Sequence, residues 1–251
     1  MKLGQRPGRY TARFSRAATD IAAAQELRHL CFIKETGGVL RPNGRDADDF
    51  DDRCEHVLIH DSHDGKLVCC YRMLPLKGGG EINSSYSAQY YELDALNRYD
   101  GAMVEMGRFC IHPDVSDPNV LRVAWAAMTR YVDDHNVEML FGCSSFQGTD
   151  SATYLDAFDM LAERHLAPKR WLPRVKAPKV FQFAKQRLQT RDRKMAMLRM
   201  PPMLKTYLIM GGWVSDHAVV DDHMNTMHVF TGLEISAIPP ARARALRAVA
   251  G

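Results

Sequence analysis

The stretch Met103–Ile111, MVEMGRFCI, constrains the fold most, because it is an apolar segment of strand length that carries both an acid and a base. We predict that it is the central strand of a sheet. Side chains alternate faces along a regular strand, so Glu105 and Arg108, three positions apart, would point to opposite faces. This odd spacing predicts a β-bulge at Gly107, which would re-aim side chains and free backbone N–H groups beside a site. A solvated ion pair on a half-buried strand is the alternative.

The remaining chain predicts helices and strands on both sides of this strand. Its 251 residues, 46% of them apolar, can bury the core of one large domain. Thr19 or Asp20 is the expected cap of the first helix. Strands are predicted at 10–14, 56–60, 67–74, 138–143 and 228–235. Helices are predicted from about 19 to 32, 120 to 135, 150 to 164, and for short segments within 200–213 and 241–251.

Several charged residues before the central strand need partners. Arg28 and Phe32 are four apart on the first helix and therefore lie one above the other. Arg72 is part of an apolar strand, where an unpaired charge is costly, so Glu105 or an acid of residues 48–52 is its expected partner. That acidic cluster, which contains Asp48 and Asp51, ends a polar loop from residue 34. A loop of this length is functional, or it is a solvated acidic surface.

The loop 144–150, SSFQGTD, follows a strand and precedes a helix. An α/β fold commonly exposes its site in such a place, so Ser145 and Asp150 are candidate substrate-binding residues. Asp150 or Thr149 can also cap the helix that follows.

Residues 169–199 form a basic segment, with eleven Lys and Arg and one acid, Asp192. A solvated helical face is the ordinary explanation, but an acidic partner protein or anionic lipid would also fit. The basic residues are Lys169, Arg170, Arg174, Lys176, Lys179, Lys185, Arg187, Arg191, Arg193, Lys194 and Arg199. The apolar stretch 200–213 follows, and its Leu208 and Trp213 either insert into a bilayer surface or pack on the sheet.

The chain has neither a signal-peptide core near its start nor an apolar run long enough to span a membrane. Its six cysteines are scattered without metal-ligand spacing, which indicates reduced thiols and no metal site. We therefore expect a cytoplasmic protein with peripheral contact to the cytoplasmic face of the membrane. The net charge of +3 is too small to argue for nucleic acid.

Four short motifs resemble, in order and spacing, those of acyl-homoserine-lactone synthases, GNAT-fold enzymes that take fatty acyl groups from acyl carrier protein. They are Arg28-x-x-x-Phe32, Asp48-x-x-Asp51, Cys70-x-Arg72-x-Leu-Pro75 and Glu105-x-x-Arg108-Phe109. Longer segments are similar to the L-ornithine N-alpha-acyltransferases, which make lyso-ornithine lipid. These segments are 105–114, 141–150, 164–168 and 201–208. His228 departs from this family, where the resemblance predicts Asp, so glutamine or lysine stays open as acceptor.

The resemblance implies an α/β fold of the GNAT type, with a mixed, mostly antiparallel sheet flanked by helices and a helical C-terminal extension. We expect a core at 1–165 and an extension at 166–251 that completes the same domain. The implied activity is transfer of a 3-hydroxyfatty or other fatty acyl group to the α-amino group of L-ornithine, the first step of ornithine lipid biosynthesis. No bound cofactor is expected, because acyl-phosphopantetheine arrives on acyl carrier protein.

The turn 114–119, DVSDPN, agrees with a protein-borne donor, since its two acids and lack of glycine would repel the pyrophosphate of coenzyme A. Glu105 is the candidate base that takes a proton from the acceptor ammonium. Arg28, Arg72 and Arg108 then bind the acceptor carboxylate or hold the acidic loop over the site. Arg170, Arg174, Lys176, Lys179, Leu208 and Trp213 are the candidate carrier or membrane surface. Two non-catalytic alternatives, a nucleic-acid-binding module and a membrane-peripheral interaction protein, explain only the basic or only the apolar segment.

Overall fold

The structure is a computed structural model that describes residues 8–34, 37–39, 43–186 and 192–250. Its strands are β1 (Tyr10–Ser15), β2 (Glu55–Asp61), β3 (Leu67–Leu76), β4 (Tyr91–Glu92), β5 (Met103–Ile111), β6 (Met139–Gln147), β7 (Arg174–Val175), β8 (Val180–Phe181), β9 (Trp213–Val214), β10 (Ala218–Asp221) and β11 (Thr226–Glu234). Its α-helices are α1 (Ala18–His29), α2 (Pro118–Asp134), α3 (Leu155–Arg164), α4 (Arg193–Arg199), α5 (Pro202–Ile209) and α6 (Pro240–Ala250).

The main sheet has the strand order β1-β2-β3-β5-β6-β11-β10-β8, with β9 paired to β11. Among the described strand pairs of this sheet, β5 with β6 is parallel and the others are antiparallel. A mixed, mostly antiparallel sheet is therefore confirmed, and β5 lies near its middle as predicted. The long strand β11, from the C-terminal part of the chain, pairs along its whole length with β6.

The two faces of the sheet carry separate parts of the core. Helix α2 covers one face, where Trp125 and Met128 pack with Val104 and Met106 of β5. The opposite face is covered by residues 79–98, whose buried side chains pack against Met103 of the same strand. Since side chains alternate along β5, Glu105 lies on the face of Met103, toward residues 79–98.

The first helix begins differently from the prediction. Its N-cap is Ala17, and neither Thr19 nor Asp20 caps it. Asp20 lies in the first turn and instead accepts hydrogen bonds from Arg13 and from the Ser15 hydroxyl. The helix continues into a π-helical turn, Leu30–Lys34. Arg28 and Phe32 are thereby brought to the end of the helix nearest β5.

Candidate acyl-transfer site

The predicted bulge in β5 exists, but its unusual residue is Arg108 and not Gly107. Between Arg72 opposite Gly107 and Cys70 opposite Cys110, the pairing with β3 shifts by one residue. Arg108 has φ 56°, in the left-handed region that non-glycine residues seldom adopt. A backbone conformation of this kind persists where surrounding contacts hold it, and such residues cluster at functional sites.

Strands β5 and β6 stop pairing at the same level. Their last register partners are Glu105 and Phe141. Gly142, the next residue of β6, has φ 155°, and a Cβ there would lie 2.3 Å from the carbonyl oxygen of Met106. Only glycine allows this close approach. Beyond it, residues 106–111 of β5 and 143–145 of β6 line a cavity of about 450 Å³.

Three arginines and three aspartates form one buried network beside the bulge, called the arginine–aspartate cluster below. Its members are Arg28, Arg72, Arg108, Asp46, Asp48 and Asp51. Arg28 binds both carboxylate oxygens of Asp51 at 2.8 Å. Its Nε lies 3.2 Å from Asp46, and its side chain is 1% exposed. The predicted acidic loop is therefore attached to α1 by Arg28 and to the sheet by Arg72 and Arg108, and only Asp49 and Asp52 of its acidic cluster are exposed.

The cluster also settles the partner of Arg72. This guanidinium lies 2.8 Å from Asp48 and 2.8 Å from Asp51, so the acidic loop supplies the partner and not Glu105. Burial alone would raise the pKa of Asp51. The hydrogen bonds that Arg28 donates and its positive charge outweigh this effect and hold that pKa below its usual range. Similarly, Arg72 and then Arg108 overcome the effect of burial and lower the pKa of Asp48.

Arg108 differs from the other two arginines because its contacts are longer. Its Nε lies 3.1 Å from Asp46 and its NH2 group 3.3 Å from Asp48. The guanidinium also lies over the ring of Tyr86, 5.0 Å from its centre. Arg108 lines the cavity, whereas Arg28 does not. Of the three, Arg108 is best placed to exchange a contact for a ligand carboxylate.

Glu105 is buried and holds three hydrogen bonds from one short segment. The backbone N–H groups of Tyr86 and Ser87 each donate at 2.7 Å, and the Ser87 hydroxyl donates at 2.5 Å. Burial raises the pKa of Glu105 above its ordinary value, although these hydrogen bonds act in the opposite direction. A carboxyl group with a raised pKa at the wall of a cavity has the properties of a general base.

A second cavity, of about 890 Å³, meets the first. The residues that line both are Phe50, Tyr86, Arg108, Asp221 and Met224. The first cavity has an apolar wall that includes Phe32, Leu121 and Met203. The second is lined by several polar and charged groups, Asp48 among them. The arrangement can thus receive an apolar chain from one side and a polar molecule from the other.

The predicted loop 144–150 contributes one of its two candidate residues, and its first part, through Gln147, is the end of β6. Ser145 lines the first cavity and is the cross-strand partner of His228. Asp150 does not line either cavity. It is the N-cap of the turn that leads into α3, where its side chain accepts from the N–H of Ala152. Asp150 therefore has the capping role that the sequence predicted as one of its two options, and its role as a substrate ligand stays a prediction.

The cysteines beside the site are thiols rather than thiolates. Burial raises the pKa of Cys143 to about 12, and burial raises that of Cys110 well above its usual value. A thiol in this state is a poor nucleophile. Burial of both thiols therefore favours direct attack by the acceptor over a covalent cysteine intermediate. Within the described residues, no cluster of three or more His, Cys, Asp and Glu could hold a metal ion.

The residues predicted to contact a carrier protein or a membrane fall into two groups, the basic residues described first and the apolar residues Leu208 and Trp213. Arg170 and Arg174 lie 3.5 Å from Glu234 and Glu92, and Lys179 lies 2.8 Å from Asp222. Lys176 donates to the carbonyl of Ala88. All four remain exposed, and Arg187 and Arg191 lie outside the described residues.

The prediction of Trp213 as a membrane contact is wrong. Its ring is buried and stacks on Phe230 at 5.9 Å, in space that Gly232 leaves by having no side chain. Leu208 is half-buried and packs against the core beside α3. Sequence hydropathy could not separate these residues from exposed ones, because both kinds are apolar. No helix in the described part of the chain has the length and apolar character to cross a bilayer.

Sequence reasoning missed four residues of the site. Tyr86 and Ser87 follow an irregular segment without a motif, and Asp46 lies in the loop before the acidic cluster. Asp221 ends β10, and both cavities meet at it. His228, noted only as a departure from a family pattern, is buried and lines the first cavity. A signal was present for Asp221, because it follows a short apolar strand in HAVVD.

Known proteins are similar to this chain in sequence. Residues 27–126 match the acetyltransferase (GNAT) domain family. The L-ornithine N(alpha)-acyltransferase of Rhodobacter capsulatus is 33% identical over 244 residues, which cover 92% of each chain. The enzyme of the same name from Brucella abortus is 29% identical and covers 93% of this chain and 87% of its own.

A solved structure shows the same fold. The coenzyme-A-dependent acyl-homoserine lactone synthase BjaI, with SAM and isopentyl-CoA, superimposes with a TM-score of 0.50 at 13% identity. The alignment covers 92% of this chain and 82% of that one.

Proposed function

The chain belongs to the family of the L-ornithine N(alpha)-acyltransferases and is an acyltransferase, and we propose that it transfers a fatty acyl group from acyl carrier protein to the α-amino group of L-ornithine. The product is then lyso-ornithine lipid. One observation carries the proposal: Arg108 lies where the first cavity, with its apolar wall, meets the polar second one, and Glu105 of the same strand lines the first cavity. The relatives' name supports the acceptor, and the shape of the two cavities supports a long acyl chain.

The reaction requires one bond to form and one to break. The α-nitrogen of the acceptor attacks the thioester carbonyl, the C–N bond forms, and the C–S bond breaks. The pantetheine thiolate leaves and takes up the second proton that the nitrogen loses as the amide forms. The α-ammonium group must first lose a proton, which Glu105 accepts directly or through one water. Arg108 would bind the acceptor carboxylate, for which its planar guanidinium is suited. Arg28 and Arg72 keep the acidic loop in place.

The separation of β5 from β6 suits the donor. Beyond Glu105 and Phe141 the two strands no longer pair with each other, so on these facing edges their backbone N–H and C=O groups can bind a ligand in the cavity. A phosphopantetheine arm is extended and carries two amide groups, which can pair with such strand edges. The same unpaired N–H groups can stabilise the oxyanion that forms during attack.

The helix after β5 argues against coenzyme A. A helix N-terminus binds a pyrophosphate through free N–H groups. In α2 the Asp117 side chain already accepts from the N–H of Asn119 at 2.9 Å, and Asp114 lies in the same turn. The carboxylates of Asp114 and Asp117 at this position would repel the pyrophosphate of coenzyme A. A carrier protein avoids the problem, because its arm has a single phosphodiester.

The donor and acceptor can be tested together. We expect the protein to form N-acylornithine from ornithine and acyl-carrier-protein thioesters, with much lower kcat/KM for the matching acyl-coenzyme A. Changing Arg170, Lys176 and Lys179 to Glu should raise KM for the carrier-borne donor, and added salt should have the same effect. Acyl-coenzyme A serves as the internal control, since it does not need the carrier surface. Absence of N-acyl product with any α-amino acid would refute the proposed function.

We further propose that α4 and α5 contact an anionic membrane. Leu198 is 70% exposed and Ile209 is 51% exposed, and cations accompany them on the same helices. These cations are Arg193, Lys194, Arg199 and Lys205. Pro201, between the two helices, and Met203 of α5 line the first cavity. A long-chain product could therefore leave toward a bilayer, where each buried methylene contributes about 0.8 kcal/mol.

Replacing Leu198 and Ile209 by Ser should weaken binding to vesicles that contain phosphatidylglycerol by about tenfold, since burial of each side chain is worth up to about 1.5–3 kcal/mol. Cosedimentation at low and high salt measures this. Val249→Ser is the matched control, because Val249 is exposed on α6, a different helix. Equal binding of the double variant and the parent protein would show that this surface is not the membrane contact.

A further inference from the structure

We propose that Asp221, His228 and Tyr90 form a subsite for the side-chain ammonium group of the acceptor, which makes the site selective for a diamino acid. This inference rests on the proposed function, because it names what recognises the second amino group of ornithine. Neither the reaction itself nor the arginine–aspartate cluster requires these three residues.

The strand register brings Asp221 and His228 to one face of the sheet. Asp221 is the cross-strand partner of Thr226, and His228 lies two residues further along β11, opposite Ser145 of β6. Cross-strand partners and residues two apart share a face, and diagonal neighbours are about 7–8 Å apart. Asp221, Thr226, His228 and Ser145 all line the first cavity. One ligand group can therefore lie between the carboxylate and the imidazole.

The carboxylate of Asp221 has capacity for a ligand. It is largely buried, and both hydrogen bonds to it from described residues, from the N–H groups of His223 and Met224, end on Oδ1. Oδ2 therefore stays available at the junction of the two cavities. A buried carboxylate without a cation is costly, which an ammonium group at this position would relieve.

His228 presents an acceptor, not a donor. The Tyr91 hydroxyl has a single proton and donates it to the backbone carbonyl of His228 at 2.7 Å. The contact of 3.1 Å between this hydroxyl and Nδ1 then requires Nδ1 to carry the proton. Nε2 is left with a lone pair, and no group in the described residues donates to it. Burial lowers the pKa of His228 to about 3, so the ring stays neutral at physiological pH.

Aromatic rings complete the subsite. Tyr90 meets the His228 ring edge to face at 5.0 Å, and Tyr86 lies 5.4 Å from Tyr90. Aromatic faces attract cations, with greater effect where water is excluded. The adjacent segment also holds Glu105, through the N–H groups of Tyr86 and Ser87.

The charges of the site match those of ornithine. Arg108 complements the carboxylate, Glu105 receives the α-amino proton, and Asp221 pairs with the side-chain ammonium. A neutral side chain such as that of norvaline or glutamine would leave Asp221 uncompensated. A site built around a buried polar group discriminates strongly against ligands that leave it unpaired.

The test compares L-ornithine with L-norvaline, which has the same carbon chain and no terminal amino group. Calorimetric binding to the full chain, together with kcat and KM for acylation, gives the ratio of the two affinities. We expect the parent protein to bind ornithine at least about tenfold tighter. In Asp221→Asn that ratio should fall toward one, chiefly through KM. Asn retains an oxygen for the two backbone N–H groups, so the turn is preserved.

Two further variants separate recognition from structure. Asp222→Asn is the matched control, because Asp222 is the exposed neighbour paired with Lys179, and it should keep the ratio of the parent protein. His228→Phe keeps a ring but removes Nε2, so it should lower the ratio as well. Equal affinity for ornithine and norvaline in the parent protein, no binding of either, or an unchanged ratio in Asp221→Asn would overturn the inference. Acylation of norvaline as fast as ornithine would do so while leaving the acyltransferase function intact.

Discussion

Glu105→Gln should lower the rate of acyl transfer by at least about a hundredfold, because the acceptor ammonium then has no base to receive its proton. The variant should still fold, although the Gln amide cannot accept from both the Tyr86 and Ser87 N–H groups as the carboxylate does. Initial rates with saturating donor and acceptor measure the effect, and circular dichroism checks the fold. Near-full activity in a folded variant would exclude Glu105 as the base.

The pH profile separates a base from a merely structural acid. The active form of Glu105 is ionised, so the rate should rise with pH through its pKa, which burial places above the ordinary value. The Ser87 hydroxyl lowers that pKa by donating to the carboxylate, so Ser87→Ala should move the rising limb to higher pH. If Ser87→Ala retains activity and its rate rises over the same pH range as that of the parent protein, Glu105 only positions the 86–87 segment.

Arg28→Met should destabilise the protein by about 3–5 kcal/mol, because it removes one of the two cations that pair with each of the buried carboxylates of Asp46 and Asp51. Denaturant unfolding, with the change read from the midpoint, measures this free energy. Arg45→Met is the matched control. Arg45 pairs with Glu26 at 2.9 Å in an exposed position, where the pair is worth only about 0–1 kcal/mol. Equal effects of the two variants would contradict the view that the cluster anchors the acidic loop.

The Arg28 effect should also depend on pH. The folded-state pKa of Asp51 is depressed, so its stabilising contribution is present above its unfolded pKa, about 3.9, and is lost as pH falls through the folded value. In Arg28→Met, Asp51 loses its main partner and takes up a proton at a higher pH than in the parent protein. The difference in stability between the two proteins should therefore shrink on acidification. A difference that stays constant from pH 7 to pH 3 would argue against ion pairing as its origin.

The sequence alone was sufficient to predict the central strand, most of the other helices and strands, and the presence of a bulge in the central strand. Local pattern explains this success. The apolar run at 103–111 has strand length, and an acid and a base three apart cannot share a face in a regular strand. The partner of Arg72 was predicted to be Glu105 or an acid of the 48–52 cluster, and it is Asp48 and Asp51 of that cluster. These inferences use only neighbours in sequence and the cost of an unpaired charge.

Where local pattern offers two options, only the tertiary structure could choose. Gly107 has the freedom for unusual dihedrals, but Arg108 adopts them, because its contacts with Asp46, Asp48 and Tyr86 hold it there. Trp213 is apolar enough for a membrane surface, yet Gly232 on a neighbouring strand leaves space for its ring in the core. Asp150 could bind substrate or cap a turn, and it caps.

Individual charged residues of the site could therefore be identified from the sequence, but the contacts that bring them together could not. Glu105, Arg108, Arg28, Arg72, Asp48 and Asp51 were visible as charged residues within patterned segments. Ser87, Asp221 and His228 were not, because their roles depend on contacts between segments far apart in the chain, such as Ser87 with Glu105 and Tyr91 with His228. Sequence periodicity reports which face a residue occupies in its own element. Which other element meets that face is decided by strand order and packing. Here they place the carboxyl group of Glu105, the guanidinium of Arg108 and the carboxylate of Asp221 around one cavity.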